Sequence, residues 1–120
     1  MSQPERIEIP DYFPVDVPRF APGSVVRHRR YGYRGVVVDF DLSCRADEQW
    51  YESNQSKPDR DQAWYHILVD GSEICTYAAE SNLQPDGSAE PITHELVGHF
   101  FEDYADGRYT RNDEIWPGWE

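Results

Sequence analysis

The run GVVVDFD, Gly35 to Asp41, sets the strongest limit on what this chain can fold into. β-Branched residues lose side-chain freedom in a helix and pack well on a pleated surface, so three successive valines followed by Asp-Phe-Asp read as a strand. With a side-chain period of two, Val36, Val38 and Phe40 are expected on one face and Val37, Asp39 and Asp41 on the other. Upstream, GSVVRH follows a Pro22-Gly23 turn signal and joins this strand through RRYGYRG, which supplies a turn glycine, so the two runs form a hairpin. Downstream, WYHILVD and EICTYAA are separated by Asp70-Gly71 and form a second hairpin. Tyr65, Ile67 and Val69 alternate there with Trp64, His66 and Leu68. Both sets are largely apolar, which suits a strand curled into a small barrel, or covered by a neighbouring segment, better than an open sheet.

Around the hairpins the sequence changes character. Pro4, Pro10, Pro14 and Pro18 exclude helix and central strand from residues 1–18, which read as an extended arm. Leu42 to Ala63 is a long polar stretch of the kind that is functional or mobile in compact domains. Within it, RADEQWYES either closes a helical turn or stays open, and Trp50-Tyr51 needs somewhere to sit. After Pro85, Ile92, Leu96, Val97, Phe100, Phe101 and Tyr104 recur at helical spacing, with Thr93 as N-cap and Asp106-Gly107 as stop. The expected organisation is thus an arm over 1–18, a mainly β domain over 19–86, and a C-terminal amphipathic helix with an acidic, tryptophan-bearing tail over 87–120.

At 120 residues the chain is one domain's worth of sequence. A mean hydropathy of −0.81, with no apolar run near the ~20 residues a membrane helix needs, describes a soluble chain. The start, MSQPERIEIP, lacks the features of a secretory leader, so a cytoplasmic location is expected. Cys44 and Cys75 have no CxxC partner and make no disulfide framework. The net charge of −12 opposes a phosphate backbone at long range. Its distribution is uneven: eight cations face eleven anions from Arg19 to Asp86, whereas two face eight from Ala89 to Glu120.

Few residues suggest chemistry. HELVGH resembles a zinc-protease motif, but its two histidines are five apart and point away from each other on a helix, unlike ligands four apart. No phosphate loop, nucleophile elbow or cysteine cluster is present, and His28 and His66 have no carboxylate partner indicated by sequence. Catalysis, a cofactor and a metal are therefore not expected. The feature to explain is the gathering of Arg27, Arg29, Arg30 and Arg34 in so acidic a chain, with Tyr31 and Tyr33 interleaved. Guanidinium forks bind phosphate or carboxylate in two-pronged fashion, and adjacent rings stack on bases. Four phosphate contacts would give a salt slope of about −3.6. Alternatively, the arginines blunt a strand edge and pair with nearby carboxylates. A second candidate surface surrounds Tyr65 and Tyr77, which could grip an acidic or aromatic peptide. The uneven charge also suggests that the tail, Glu102 to Glu120, folds over the arginine cluster and competes with an outside ligand.

The succession of GSVVRHRRYGYRGVVVDFD, an acidic connecting loop, and WYHILVDGSEICTYAAESNL resembles the YccV-like family, whose members include bacterial heat-shock protein Q and hemimethylated-DNA-binding proteins. The likeness spans Phe20 to Leu83 and carries five motifs in order: a VRH strand, GYRGVVVD, the acidic loop, a WYH strand and a YxAExNL closing segment. It implies a small SH3-like β-barrel and a role in binding rather than turnover. The ligand it implies is hemimethylated DNA; alternatively it implies a proteolysis adaptor acting with a Lon-type protease or its substrates. F-box proteins carry a similar domain, which fits the adaptor reading. The arm and the C-terminal region have no counterpart in this resemblance. Exposed strand edges and an aromatic helix also make a homo-oligomer an expectation.

Overall fold

The computed structural model describes residues 18–54 and 57–117. The arm expected over 1–18 thus lies, apart from Pro18, outside the described residues.

Both hairpins form. Strand β1 (Val25–His28) pairs antiparallel with β2 (Arg34–Asp41), and β3 (Trp64–Val69) pairs with β4 (Cys75–Ala79). β2 also pairs with β3, and a short β5 (Leu83–Pro85) pairs with β1. The order β4-β3-β2-β1-β5 makes one five-stranded sheet. A 3-10 turn, Glu80–Asn82, carries the chain from β4 at one edge to β5 at the other. Among the described residues these edge strands are not bonded to each other, so the sheet is mainly antiparallel β and no closed barrel is found.

A bulge in β2 corrects the expected face assignment. The register runs Val37↔Ile67 and then Asp39↔His66, leaving Val38 as an extra residue. Two residues then oppose one, and the alternation slips by one step. Val36 and Val38 share a cluster as expected, but Phe40 packs with Val37 on the opposite face. The same slip turns Asp41 towards the face of Trp64, its partner in the register.

Each face of the sheet has its own core. On one, Val26, Val37, Tyr65, Ile67 and Leu83 close around Phe20. On the other, Val25, Val36, Val38 and Leu68 are covered by Ile92, Phe100, Phe101 and Tyr109. All six residues of β3 are buried, because this central strand has cover on both sides.

The cover on the second face is not the expected amphipathic helix. Only Val97–Phe100 are helical (α2), and β6 (Phe101–Ala105) and β7 (Arg108–Arg111) follow as a hairpin. Asp106 and Gly107, expected as a helix stop, have φ of 55° and 77°. Two successive positive φ values suit the tight turn of a two-residue hairpin, for which Asp-Gly is a preferred pair. Gly98 and the aromatic and β-branched residues of β6 and β7 disfavour a long helix. Thr93 caps nothing: its N–H donates to Asp70 Oδ1 at 2.7 Å.

Gly23 lets this hairpin dock. At φ 100°, its N–H donates to the Val37 carbonyl at 2.8 Å, and its carbonyl accepts from Tyr109 N–H at 2.9 Å. A Cβ at this position would overlap the Tyr109 carbonyl. Gly23→Ala is therefore expected to destabilise the chain by about 2 kcal/mol through overpacking, read as a lowered urea midpoint at unchanged slope.

Candidate functional site

The arginine cluster does not act as one unit. Arg34 donates through Nε to Asp86 at 2.9 Å, through Nη1 to Asp70 at 3.0 Å and through Nη2 to the Glu90 carbonyl at 2.6 Å. Arg27 reaches Asp86 at 3.2 Å and the Gly32 carbonyl at 3.1 Å. The Asp86 side chain is only 3% exposed and that of Arg34 15%. Burial opposes ionisation of both. Ion pairing outweighs it, holding Arg34 above the usual arginine value; for Asp86, hydrogen bonds from Ser88 and Arg34 and the adjacent positive charges hold the carboxyl below the usual carboxylate value. These two arginines tie β1 and β2 to the segment after β5. Arg29 donates to the Leu83 carbonyl at 3.2 Å but remains exposed. Arg30 is exposed too, its guanidinium 5.7 Å from the Tyr31 ring centre. Asp86, Asp70 and the Glu90 carbonyl thus contact the cluster where the acidic tail was expected to do so. The tail's Glu114 faces His99 at 3.6 Å.

A groove of about 560 Å³ lies along β4. Trp50, Trp64, His66, Tyr77 and Trp116 line one side, and His28, Tyr31 and Tyr33 the other. The polar loop builds the first wall. Asp47 Oδ1 accepts from Trp50 N–H at 2.8 Å and caps a short helix, α1 (Glu48–Ser53), which settles the open alternative for RADEQWYES. Trp50 then meets Trp64 and Tyr77 edge to face, with ring centres 6.2 and 5.8 Å apart. Arg60 secures this loop, donating to the Ala46 carbonyl at 2.6 Å with its guanidinium 4.7 Å from the Tyr51 ring centre. Trp116 arrives from beyond β7, against Phe100 and His66. The opposite wall is the tip of the β1–β2 hairpin, where Tyr33 Oη lies 2.9 Å from Thr76 Oγ1.

The groove carries little positive charge. The Tyr77 hydroxyl donates to Asp41 Oδ2 at 2.7 Å, and His66 Nε2 lies 3.4 Å from the same oxygen. Burial lowers the His66 pKa against the pull of Asp41 and Asp39. Burial and then the charge of Arg30 lower that of His28, whose Nδ1 accepts the N–H groups of Arg30 and Tyr31 at 3.1 and 3.0 Å. Both imidazoles are therefore neutral at pH 7, and among the described residues no lysine or arginine lines the groove. One polar atom stands out: the Trp116 indole Nε1 is buried and has no hydrogen-bond partner among the described residues.

The two tyrosines proposed as one gripping surface serve different places. Tyr77 lines the groove, whereas Tyr65 is 0% exposed and faces the first core, its hydroxyl donating to Glu80 at 2.7 Å. The two histidines of HELVGH also separate, since α2 begins only at Val97 and His94 precedes it.

Residues 18–108 match the family described as hemimethylated DNA-binding protein YccV like. The chain belongs to the YccV-like family. Among curated proteins, the YccV-like chain is similar to F-box only protein 21 of Mus musculus, 34% identical over 100 residues, and of Homo sapiens, 33% identical over 100 residues. Each match takes in 80% of this chain and 16% of the relative, so the chain spans less than a fifth of the curated relatives' length. The YccV-like match extends past β5 to Arg108 and so includes much of the cover over the second core. Trp50, Trp64, His66 and Trp116 were not foreseen as site residues. The signal for Trp50 was an Asp three positions ahead, an N-cap that fixes which way the helix presents it.

Proposed function

We propose that this YccV-like chain is a non-catalytic binding module that takes a segment of another protein in the aromatic groove beside β4. The observation that carries this reading is the groove's chemistry: a concave aromatic surface with a neutral lining, in a chain of net charge −12. Aromatic side chains dominate the energetics of protein contacts, whereas phosphates would gain nothing from such a lining. A proteolysis-adaptor role is one form this binding could take, and the likeness to F-box only protein 21 agrees with a protein-interaction role. We also infer a small SH3-like barrel. The strand order and the single 3-10 turn between the edge strands support it, as that turn is where such a barrel would close.

The second reading, binding of hemimethylated DNA, is favoured by the family's description and by the exposed Arg29, Arg30 and Tyr31 at the hairpin tip. Two of the four arginines, Arg27 and Arg34, are committed to Asp86, so its salt slope would be about −1.8 rather than −3.6. Affinity capture with and without nuclease, using the wild type and Trp50→Ala, separates the readings. Proteins that survive nuclease and are lost with Trp50→Ala are the expected result. Retention that disappears with nuclease and is unaffected by Trp50→Ala would shift the assignment to DNA. Tighter binding of hemimethylated than of unmethylated duplex, by anisotropy, would then establish methylation readout.

A further inference from the structure

We propose that Asp106-Gly107, at the tip of the β6–β7 hairpin, is a modification site at which isoaspartate forms spontaneously, and that this change loosens the hairpin from the second core, whatever the groove binds.

The sequence holds three Asp-Gly pairs: Asp70-Gly71, Asp86-Gly87 and Asp106-Gly107. In such a pair the glycine nitrogen attacks the aspartyl Cγ, and a residue without a Cβ obstructs the attack least. As the N–Cγ bond forms, the carboxyl hydroxyl and the nitrogen's proton leave together as water, closing a five-membered succinimide. Water then reopens the ring. Opening at the former backbone carbonyl routes the chain through Cβ and Cγ, so the net change is an isomerisation that consumes no oxidant or co-reactant. The step requires a protonated carboxyl, an unengaged glycine nitrogen and a turn free to rotate.

The fold withholds these conditions from two of the three pairs. Asp70 accepts from Thr93 N–H at 2.7 Å and from Arg34 Nη1 at 3.0 Å, and Gly71 N–H is itself donated to the Thr93 carbonyl at 2.7 Å. Asp86 accepts from Arg27, Arg34 and Ser88, and its side chain is nearly fully buried. Despite that burial, the hydrogen bonds from Ser88 and Arg34 and the adjacent positive charges keep it ionised. Asp106 is exposed, and among the described residues neither its carboxyl nor the Gly107 N–H has a hydrogen-bond partner.

The turn also holds the roof of the second core. It sets the pairing of Ala105 with Arg108 and of Tyr104 with Tyr109, and Tyr109 N–H reaches the Gly23 carbonyl at 2.9 Å. Beside it, the Tyr104 hydroxyl donates to the Ala89 carbonyl at 2.6 Å. One extra main-chain atom no longer fits a two-residue hairpin turn, and the register behind it slips.

The test is to hold the full chain warm in mildly acidic buffer, below its melting temperature, and to map isoaspartate by digestion with a protease that cleaves at Asp but not at isoaspartate. In the folded chain Asp106 should convert at least about tenfold faster than Asp70 or Asp86, which react only when their ion pairs open. In concentrated urea the three should convert at similar rates. Equal rates in the folded chain, or an Asp106 as protected as the other two, overturns the assignment. An excess at Asp106 that persists undiminished in urea would trace the preference to neighbouring sequence and overturn the role of the fold. The modified fraction, separated by ion exchange, should unfold at a lower urea midpoint than the unmodified chain, and an unchanged midpoint would refute the loosening of the hairpin.

Discussion

A chain ending at Asp86 is expected to lose its folded monomeric state. The segment beyond it buries Ile92, Phe100, Phe101 and Tyr109 against Val25, Val36, Val38 and Leu68. Four large side chains at ~2 kcal/mol each amount to roughly 8 kcal/mol, against the 5–15 kcal/mol that typically separates folded from unfolded domains. Polar ties go as well: Tyr109 N–H to the Gly23 carbonyl at 2.9 Å, and Arg111 Nε to the Val38 carbonyl at 3.0 Å. Truncation would also leave the second face of the sheet apolar and open, a surface that drives association. Far-UV circular dichroism should show no cooperative melt, and size-exclusion chromatography should show a shift to larger species. Phe101→Ala, a milder change in the full chain, should cost about 3 kcal/mol. A truncated chain that elutes as a monomer and melts at the full-length temperature would show that the C-terminal hairpin is an appendage and not part of the core.

The two central hairpins were legible because their signals are local: β-branched runs with period two, broken by glycine turns. The helical spacing from Ile92 to Tyr104 misled because clustered aromatics can satisfy either period over a short run. Asp106-Gly107 is equally at home after a helix or between two strands, and pairing across that turn, a contact no spacing rule sees, decided between them. The bulge at Val38 was hidden for a related reason, since only the partner strand reveals which residue is extra. The groove was less legible still. Trp50, Tyr77 and Trp116 come from the loop, the edge strand and the tail, and chain folding alone makes them neighbours. The arginines were conspicuous in sequence for the opposite reason: they are adjacent along the chain, although Arg27 and Arg34 turn out to be tied to a common carboxylate, Asp86.

That shared carboxylate makes Asp86→Ala a point substitution with a large expected effect. Asp86 is nearly fully buried and accepts from Arg27, Arg34 and Ser88, so removing it leaves the mostly buried Arg34 with Asp70 as its remaining carboxylate. Breaking such a pair from one side costs about 3 kcal/mol, or about 10 °C in melting temperature for a domain of this size. Asp86→Asn, which keeps an oxygen acceptor, should lose less. The pH dependence gives a separate check. The folded-state pKa of Asp86 is depressed, so the native state binds fewer protons there than the unfolded chain. Its contribution is complete above the unfolded carboxylate value near 4 and disappears as pH falls through the lower folded value. His28 and His66 are also depressed, below 6.5, and by the same sign their contribution is lost over a higher window as pH falls from about 6.5. The wild type should therefore lose stability in two stages on acidification. Asp86→Ala should keep the histidine stage and flatten the lower one. Urea midpoints measured from pH 7 to pH 3 would show this, and an unchanged lower stage in Asp86→Ala would mean that other carboxylates, not the one shared by Arg27 and Arg34, control acid unfolding.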